Sequence, residues 1–395
     1  MPIPLFPLIG PCLRTLRQCR GAREKGCEVL IVCRKGCPQA GTPDQGKGLC
    51  EPLLEGIQVL SILPSPRSIF LREIVHLIYS WRIILKEVRS AGPDIVHAHN
   101  YPVTIAFVTS IVCSLKKIPL VYDIHDGWYE SISSMDMNPI MKKIYLAVGL
   151  FFEYASLRFC TGIVTVSCTL RESIMKRAGT ITRSKPFTVM KNVPLPGAGD
   201  NDAPEAAEED YLLYSGTLYA SYIGLEDLID ILGDLQAHKT MKLLIAGDGP
   251  YRKELEAYVS KKDAEGFVTF LGHISRQELY SHIRRAKLCV MPFRKNRHLD
   301  TVVPNKLFEY MECSKAFVYP DLPGFREVLG PDNKGRYIPD SRDDLKRTIL
   351  MLLGDDELRR KTGTRNRLIL KGLTFEKEFS KLWDLYGMVE KRREE

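Results

Sequence analysis

The sequence predicts an α/β protein with two doubly wound, Rossmann-like domains, each built around a parallel sheet. Three observations lead to this prediction. Short, continuous apolar runs of strand length alternate with segments of helical periodicity along the chain. The 395 residues are more than one hydrophobic core usually organises. Residues 194–210 are rich in Pro, Gly, Ala and acidic residues, which predicts a linker between two domains.

The first domain is predicted to span residues 1–195. Its strands are expected at residues 28–33, 94–97, 120–124 and 162–166. Its helices are expected at residues 13–25, 69–90, 104–116 and 141–159. The strands are short apolar runs rather than alternating ones, which indicates burial on both faces of a sheet.

The second domain is predicted to span residues 196–374 and repeats the same alternation. Its strands are expected at residues 211–215, 241–246, 268–271, 288–292 and 316–319. Its helices are expected at residues 224–235, 251–261, 276–285, 305–312 and 342–353. We expect residues 375–395 to form a C-terminal helix that packs back on the first domain.

Composition excludes several classes of protein. Hydrophobic residues make up 45% and charged residues 26%, which is globular and neither disordered nor fibrous. The eleven cysteines are an odd number without a CxxC pair, which favours a reduced, cytoplasmic chain and no metal site. The longest uncharged stretches fall short of the roughly 18 apolar residues that a membrane-spanning helix needs.

The charge is spread unevenly along the chain. The net charge is +8, and residues 1–195 carry 24 basic and 14 acidic residues. Such an excess suits an anionic membrane surface, and the alternative is an inert, solvated surface. Helix 13–25 is predicted to present a basic stripe, and residues 68–89 an amphipathic face. Nucleic-acid binding is not expected, because no recognised module interleaves the basic residues with aromatic ones. The stripe residues are Arg14, Arg17, Arg20 and Arg23.

Candidate ligand-binding residues follow the predicted strands of the second domain. Ligands bind beyond the carboxyl ends of parallel strands, where glycines let backbone N–H groups approach a phosphate. Ordinary turns use the same residues, so the loops alone leave both interpretations open. The candidates are Gly216, Thr217, Gly247, Gly249, Gly272 and His273.

The segment TVVPNKLFEYM, residues 301–311, is more specific. Lys306 lies near a predicted helix N-terminus, where the helix dipole disfavours a cation, and a bound anion would resolve this conflict. Glu309 lies one turn after Asn305 on the same face, where its carboxylate could accept hydrogen bonds from a ribose diol. The alternative is an ordinary surface pair between Lys306 and Glu309.

A set of motifs resembles the retaining glycosyltransferases of family 4, which are two-domain GT-B enzymes. They are DIVHAHN (94–100), LVYDIHD (120–126), GIVTVS (162–167), KNVP (191–194), YSGTL (214–218), LLIAGDGPYRKELE (243–256), FLGHI (270–274) and PNKLFEYM (304–311). The resemblance implies transfer of a sugar from a nucleotide-sugar donor to a cell-envelope glycan or lipid-linked acceptor, without a cofactor. It also implies a cytoplasmic enzyme, and the charge adds an expected peripheral attachment to the membrane.

The resemblance also implies roles for particular residues. Glu309 would bind the donor ribose, and His125 with Asp126 would lie beside the reacting sugar. Thr301 stands where the family usually has a glutamate, so the backbone of Thr301, Val302 and Val303 is expected to bind sugar or phosphate instead.

Two cations that usually bind the diphosphate are replaced by Thr217 and Ile223. We therefore expect other basic residues to supply the positive charge. The candidates are Arg294, Lys295, Arg297 and Lys306.

Two other functions share this architecture. One is a nucleotide-sugar epimerase, although the PNKLFEYM helix favours the transferase. The other is a degenerate subunit that binds a nucleotide without turnover, which the replaced glutamate and cations favour.

Overall fold

The computed structural model describes residues 10–34, 58–63, 69–135, 137–194, 207–235 and 241–394. The chain divides into two compact units. The first comprises Met1–Asn192 with Glu376–Glu395, and the second comprises Val193–Phe375.

Parallel strands form the sheets of the first unit. Its strands are β1 (Leu30–Arg34), β2 (Gln58–Leu63), β3 (Val96–His99), β4 (Leu120–Ile124), β5 (Gly162–Thr165) and β6 (Phe187–Val189). The order β3-β4-β5-β6 forms one sheet, and β1 pairs with β2. All five residues of β4 are buried, as a strand covered on both faces should be.

Helices cover this sheet. They are α1 (Gly10–Glu24), α2 (Ile69–Ala91), α3 (Val103–Lys116), α4 (Trp128–Ser134), α5 (Pro139–Phe159), α6 (Cys168–Thr182) and the C-terminal helix, here numbered α15 (Phe375–Glu394). Helix α3 packs against both α2 and α5. Helix α15 packs on its own unit closely: a Cβ at Gly21 of α1 would lie 2.7 Å from the Phe379 ring.

The second unit contains a parallel sheet of six strands. They are β7 (Glu209–Ser215), β8 (Lys242–Ala246), β9 (Val268–Gly272), β10 (Ala286–Val290), β11 (Phe317–Pro320) and β12 (Arg336–Tyr337), in the order β12-β11-β10-β7-β8-β9. The helices are α7 (Leu225–Leu235), α8 (Arg252–Lys261), α9 (Arg276–Arg285), α10 (Arg297–Thr301), α11 (Asn305–Glu312), α12 (Pro323–Leu329), α13 (Arg342–Gly354) and α14 (Asp356–Gly372).

The predicted α/β fold with parallel sheets is confirmed, and most predicted elements lie within two residues of observed ones. Strand 94–97 is wrong by two residues, because pairing with β4 begins where the Val96 N–H donates to Pro119 O at 2.9 Å. Strands β2, β6 and β12 and helices α4, α6, α10, α12 and α14 were not predicted. Strand β7 begins at Glu209, inside the predicted linker, most of which lies outside the described residues.

Candidate functional site

The strand order of the second unit creates a topological switch point between β7 and β10. Strands β8 and β9 continue on one side, and β11 and β12 continue on the other. Ligands bind in open parallel sheets beyond the carboxyl ends of such a strand pair. The loops that follow the two strands touch here, since a Cβ at Gly224 would lie 1.9 Å from Pro292 O.

Glycines allow the loops after β7 and β8 to pack backbone against backbone. The Gly216 N–H donates to Ala246 O at 2.8 Å, and Gly216 has φ +132°. Gly247 has φ +152°, and a Cβ there would lie 2.0 Å from Gly216 O. A Cβ at Gly249 would lie 2.3 Å from Leu218 O. The approach of the loops therefore requires Gly247 and Gly249, and the positive φ requires Gly216, whereas a role toward a phosphate remains a prediction.

Lys306 points its ammonium group at the switch point. A Cβ at Gly216 would lie 2.4 Å from Lys306 Nζ, so the amine lies against the Gly216 backbone. Nζ also lies 3.8 Å from the centroid of the Tyr214 ring and 5.1 Å from that of Phe293. Burial lowers the pKa of Lys306 to about 7, although Glu309 acts in the opposite direction. The lysine is therefore poised to gain a full charge when an anion approaches.

Helix α11 begins beside Lys306. Its N-cap is Pro304, which makes no side-chain capping hydrogen bond, and Asn305 is the first helical residue. Backbone N–H groups at a helix N-terminus and the helix dipole favour an anion. The expected conflict between Lys306 and the dipole is therefore present in the structure.

Glu309 lies one turn into α11 and faces α9. Its negative charge raises the pKa of Arg276, although burial acts in the opposite direction and Tyr280 is the larger favourable influence. Arg276 Nη2 donates to the Tyr280 hydroxyl oxygen at 3.1 Å. Sequence reasoning missed Arg276, and its place in the first turn after the FLGHI motif was the available signal.

Residues 301–303 form the tight connection between α10 and α11. The buried Thr301 hydroxyl donates to His298 O at 3.0 Å. Val303 is buried, and a Cβ at Gly324 would lie 2.5 Å from Val302 O. This packing fixes the segment that leads into the N-terminus of α11.

The other predicted donor residues lie in different surroundings. Arg294 Nε donates to Asp227 Oδ2 at 2.9 Å, so a carboxylate already compensates its charge. Thr217 and His273 are exposed, and Gly272 has φ +65° at the end of β9. Ile223 is buried. Among the expected cations, Lys306 and Arg294 both lie at the switch point, since a Cβ at Gly224 would lie 3.6 Å from Arg294 Cγ, but Arg294 is already paired with Asp227 there.

A buried ion pair connects α1 to the carboxyl end of the first unit's sheet. Arg14 Nε donates to Asp123 Oδ2 at 2.8 Å, and Gln18 Nε2 donates to the same oxygen at 2.7 Å. Burial alone would raise the pKa of Asp123, but Arg14 with His97 and His99 outweighs burial and holds that pKa well below its usual value. The predicted basic surface stripe on α1 is therefore wrong for Arg14, because a carboxylate inside an apolar strand needs a buried cation.

Arg17 corrects the same prediction. It is buried, and its Nη1 donates to Asn192 O at 3.3 Å. Arg14 and Arg17, the first two of the four arginines spaced three residues apart on α1, thus face the interior.

His125 follows β4 directly. It is buried, and neither ring nitrogen has a hydrogen-bond partner within the part of the chain that the structure describes. Burial lowers its pKa, while Asp126 and Asp123 act in the opposite direction. Asn100 fixes the backbone here, since its Oδ1 accepts from the His125 N–H at 3.3 Å and its Nδ2 donates to Asp126 O. His125 is thus a neutral imidazole with free nitrogens on a rigid backbone.

Helix α5 contacts Trp128, which follows His125 by three residues. Residues 125–128 are here called the His125 loop. Trp128 Nε1 donates to Tyr145 O at 2.9 Å, and the Trp128 N–H donates to Glu153 Oε2 at 3.2 Å. A Cβ at Gly149 would lie 1.9 Å from the indole. Glu153 is fully buried and accepts from Arg177 Nη1 at 2.8 Å. Sequence reasoning missed these residues, and the lone glutamate in an apolar helix was the signal.

Within the described ranges, one group of side chains could hold a metal ion. The ligand atoms of His97, His99 and Asp123 lie within 4.8 Å of one another. Asp123 Oδ2 already accepts from Arg14 and Gln18, and His97 Nδ1 lies 2.8 Å from the Tyr386 hydroxyl. Hydrogen bonds therefore satisfy much of the donor set.

The helices were also compared with the requirements of a membrane span. Of the helices in the described ranges, none combines the length and the apolar character needed to cross a bilayer.

Comparison with known proteins gives the family and the fold. Residues 14–192 match the model described as Glycosyltransferase Family 4, and residues 209–355 match that of Glycosyl transferases group 1. An uncharacterized glycosyltransferase of Methanocaldococcus jannaschii is 24% identical over 78% of this chain and 78% of its own length.

Two solved structures are similar to the whole chain. Sucrose-phosphate synthase from Thermosynechococcus elongatus superposes with a TM-score of 0.72 at 16% identity, over 96% of this chain and 93% of its own. HepE from Anabaena, in complex with UDP, gives a TM-score of 0.63 at 17% identity, over 91% and 99%. The predicted GT-B fold is confirmed by these likenesses.

Proposed function

Because this chain belongs to the group 1, family 4 glycosyltransferases, as its motifs predicted, we propose that it is a retaining enzyme of that class. It moves a sugar from a nucleotide-sugar donor to a cell-envelope glycan or a lipid-linked acceptor. Anabaena HepE has been solved with UDP and with UDP and glucose, which supports the choice of donor. The competing epimerase and non-catalytic interpretations become outcomes of the test below.

One observation carries this proposal: Lys306 and the N-terminus of α11 meet at the switch point of the second unit. The amine lies against Gly216, and its pKa of about 7 leaves it partly neutral until an anion arrives. A diphosphate bound there would be stabilised by the ammonium and by helix N–H groups. The same contacts would stabilise the negative charge that develops on the leaving diphosphate during transfer.

The remaining roles are those that the family motifs imply. Glu309 binds the ribose, and the backbone of residues 301–303 approaches the sugar or phosphate. His125, neutral and without hydrogen-bond partners at its ring nitrogens within the described chain, lies beside the reacting sugar together with Asp126. Retention follows if the acceptor attacks from the side on which the diphosphate leaves. We propose that no metal ion or other cofactor is required, since Lys306 and α11 supply positive charge.

We further propose a cytoplasmic enzyme with peripheral attachment to the membrane. Helix α2 supports this, because it exposes Ile78, Tyr79 and Trp81 as well as Arg82 and Lys86. Helix α1 no longer supports it, because Arg14 and Arg17 are buried.

The test is a thermal-shift screen against UDP, GDP, ADP and their sugars, followed by product analysis. A ligand that binds only the folded state raises the melting temperature. The free energy of unfolding rises by about 2.7 kcal/mol when the ligand is at a hundredfold excess over its Kd. We expect one nucleotide class to raise it and a sugar to be transferred, with EDTA having no effect. No response to any nucleotide would overturn the proposal. A thermal shift without any product would identify the non-catalytic subunit, and release of an epimerised sugar would identify the epimerase.

A further inference from the structure

Helix α5 exposes a continuous apolar stripe. Its residues Ile140, Met141, Ile144, Val148 and Phe151, here called the α5 stripe, are all exposed. The exposed fractions reach 69% at Ile140, 51% at Val148 and 64% at Phe151. Positions separated by three, four and eight residues share one helix face, so the stripe runs for about 16 Å along α5. A soluble surface rarely groups large apolar side chains in this way.

The opposite face of α5 cannot exchange places with the stripe. Gly149 and Glu153 are buried, and the indole of Trp128 lies against Gly149. Glu153 forms an ion pair with Arg177 at 2.8 Å. Rotation of α5 would expose these groups and break this pair, so the apolar stripe is a fixed feature of the surface.

The surroundings of the stripe are cationic. Helix α3, which packs against α5, contains no Asp or Glu, and the single carboxylate of α5 is the buried Glu153. Lys143 flanks Ile144, and Arg158 lies two turns beyond Phe151 on the same face. An apolar stripe with basic flanks matches helices that lie in the interface of an anionic bilayer.

A second copy of the chain fits this surface less well. Antiparallel pairing of the two stripes about their midpoint would bring Lys143 of one copy within about 8 Å, measured along the helix axis, of Lys143 of the other. Parallel pairing would bring the two Lys143 residues together. Both arrangements place like charges beside an apolar contact, which is unfavourable.

We propose that the α5 stripe inserts into the headgroup region of an anionic bilayer and that the acceptor is therefore lipid-linked. The second part rests on the proposed transferase activity, whereas the membrane contact rests on the α5 stripe itself. The structure connects the two, because the helix that would lie on the lipid also holds the His125 loop. Trp128 bonds to Tyr145 O and to Glu153, and it follows His125 by three residues. A lipid headgroup on the stripe would thus lie about one helix diameter, about 10–12 Å, from the loop that carries His125.

The experiment measures binding of the full chain to vesicles of phosphatidylcholine alone and of phosphatidylcholine with phosphatidylglycerol, at low and high salt. The test variant is I144E/F151E. The control is L368E, since Leu368 lies on α14 in the second unit and is 62% exposed. We expect wild type and L368E to bind the anionic vesicles and I144E/F151E to bind them about tenfold more weakly or worse. No binding by wild type, or unchanged binding by I144E/F151E, would overturn the proposal.

A second variant separates charge from insertion. K143E/R158E keeps the apolar stripe and is expected to bind anionic vesicles more weakly while binding neutral ones as wild type does. Sedimentation of the wild type without lipid is the companion measurement. If the wild type is a dimer and I144E/F151E is a monomer, the stripe is an interface between copies. That result would overturn the proposal that the stripe inserts into a bilayer.

Nucleotide-induced thermal shifts of the same variants keep this test distinct from the proposed function. Vesicle binding without any nucleotide shift would support the docking surface and refute the transferase. A normal shift without vesicle binding would refute the docking surface alone.

Discussion

Lys306 should make nucleoside diphosphate binding weaken as the pH rises above neutrality. Its pKa is about 7 in the free protein, because the amine is buried against Gly216 and two aromatic rings. A bound diphosphate favours the ammonium form, so binding must take up a proton whenever the lysine is neutral. If only the ammonium form binds, affinity falls about fivefold between pH 7 and pH 8 and about fiftyfold between pH 7 and pH 9.

Calorimetric titration from pH 7 to pH 9 measures this directly, with the nucleoside diphosphate that gives the largest thermal shift. The terminal phosphate of the ligand has a second pKa of about 6, so its own ionisation is nearly complete over this range. Buffers of different ionisation enthalpy should report uptake of nearly one proton per bound ligand at about pH 8. The corresponding nucleoside is the ligand control, and its affinity should not change with pH.

Two variants test whether Lys306 is the responsible group. Lys306→Met should bind the diphosphate weakly and with no pH dependence above neutrality. Lys306→Arg keeps its charge at every pH used, so the pH dependence should flatten even if the affinity differs. A wild-type affinity that stays constant from pH 7 to pH 9, or a Lys306→Met variant with the wild-type slope, would refute the reasoning.

Three further predictions concern both units. Glu309→Gln should lower kcat/KM at subsaturating donor, because loss of a charge-assisted hydrogen bond removes about 1.5–3 kcal/mol of transition-state stabilisation. The matched change at the exposed Glu254, Glu254→Gln, should leave kcat/KM unchanged. Asp123→Asn leaves Arg14 buried without its counterion, so chemical denaturation should show a loss of about 3–5 kcal/mol. Since the folded pKa of Asp123 is lowered, that stability should be present above its unfolded pKa and lost as the pH falls through the folded value. Gly247→Ala, which meets Gly216 O at 2.0 Å, should abolish the nucleotide-induced thermal shift, and a shift of wild-type size would contradict the packing.

Most strands could be predicted from the sequence because the sheets of both units are parallel and buried. The run LVYDI predicted β4, and LLIA predicted most of β8, since a strand covered on both faces contains few polar residues. Strand order could not be predicted, because periodicity says nothing about which strands are neighbours. The switch point between β7 and β10 therefore emerged only with the structure.

The candidate sites show the same limit. Lys306 and Gly216 were both singled out from the sequence, but their contact joins a helix to a distant loop and needs the folded chain. Arg14 was misplaced because a three-residue spacing describes a helix face without telling which way that face points. The signal against a surface stripe was Asp123 within an apolar strand, because a buried carboxylate needs a partner of opposite charge.

Lys306 is the proposed counterpart of the replaced cations of the second unit. Ile223 is buried and Thr217 is exposed and neutral, so neither can neutralise a diphosphate. Arg294 is engaged by Asp227 at 2.9 Å, and moving it toward a phosphate would strand that carboxylate. Lys306 has no such cost, because its nearest surroundings are a glycine backbone and two aromatic faces. A cation held there gains more from an arriving anion than a solvated one, since less water screens the interaction. We therefore expect the half-buried Lys306 to supply charge that exposed cations would otherwise supply. The resulting sensitivity of binding to pH would distinguish this arrangement from one with exposed cations.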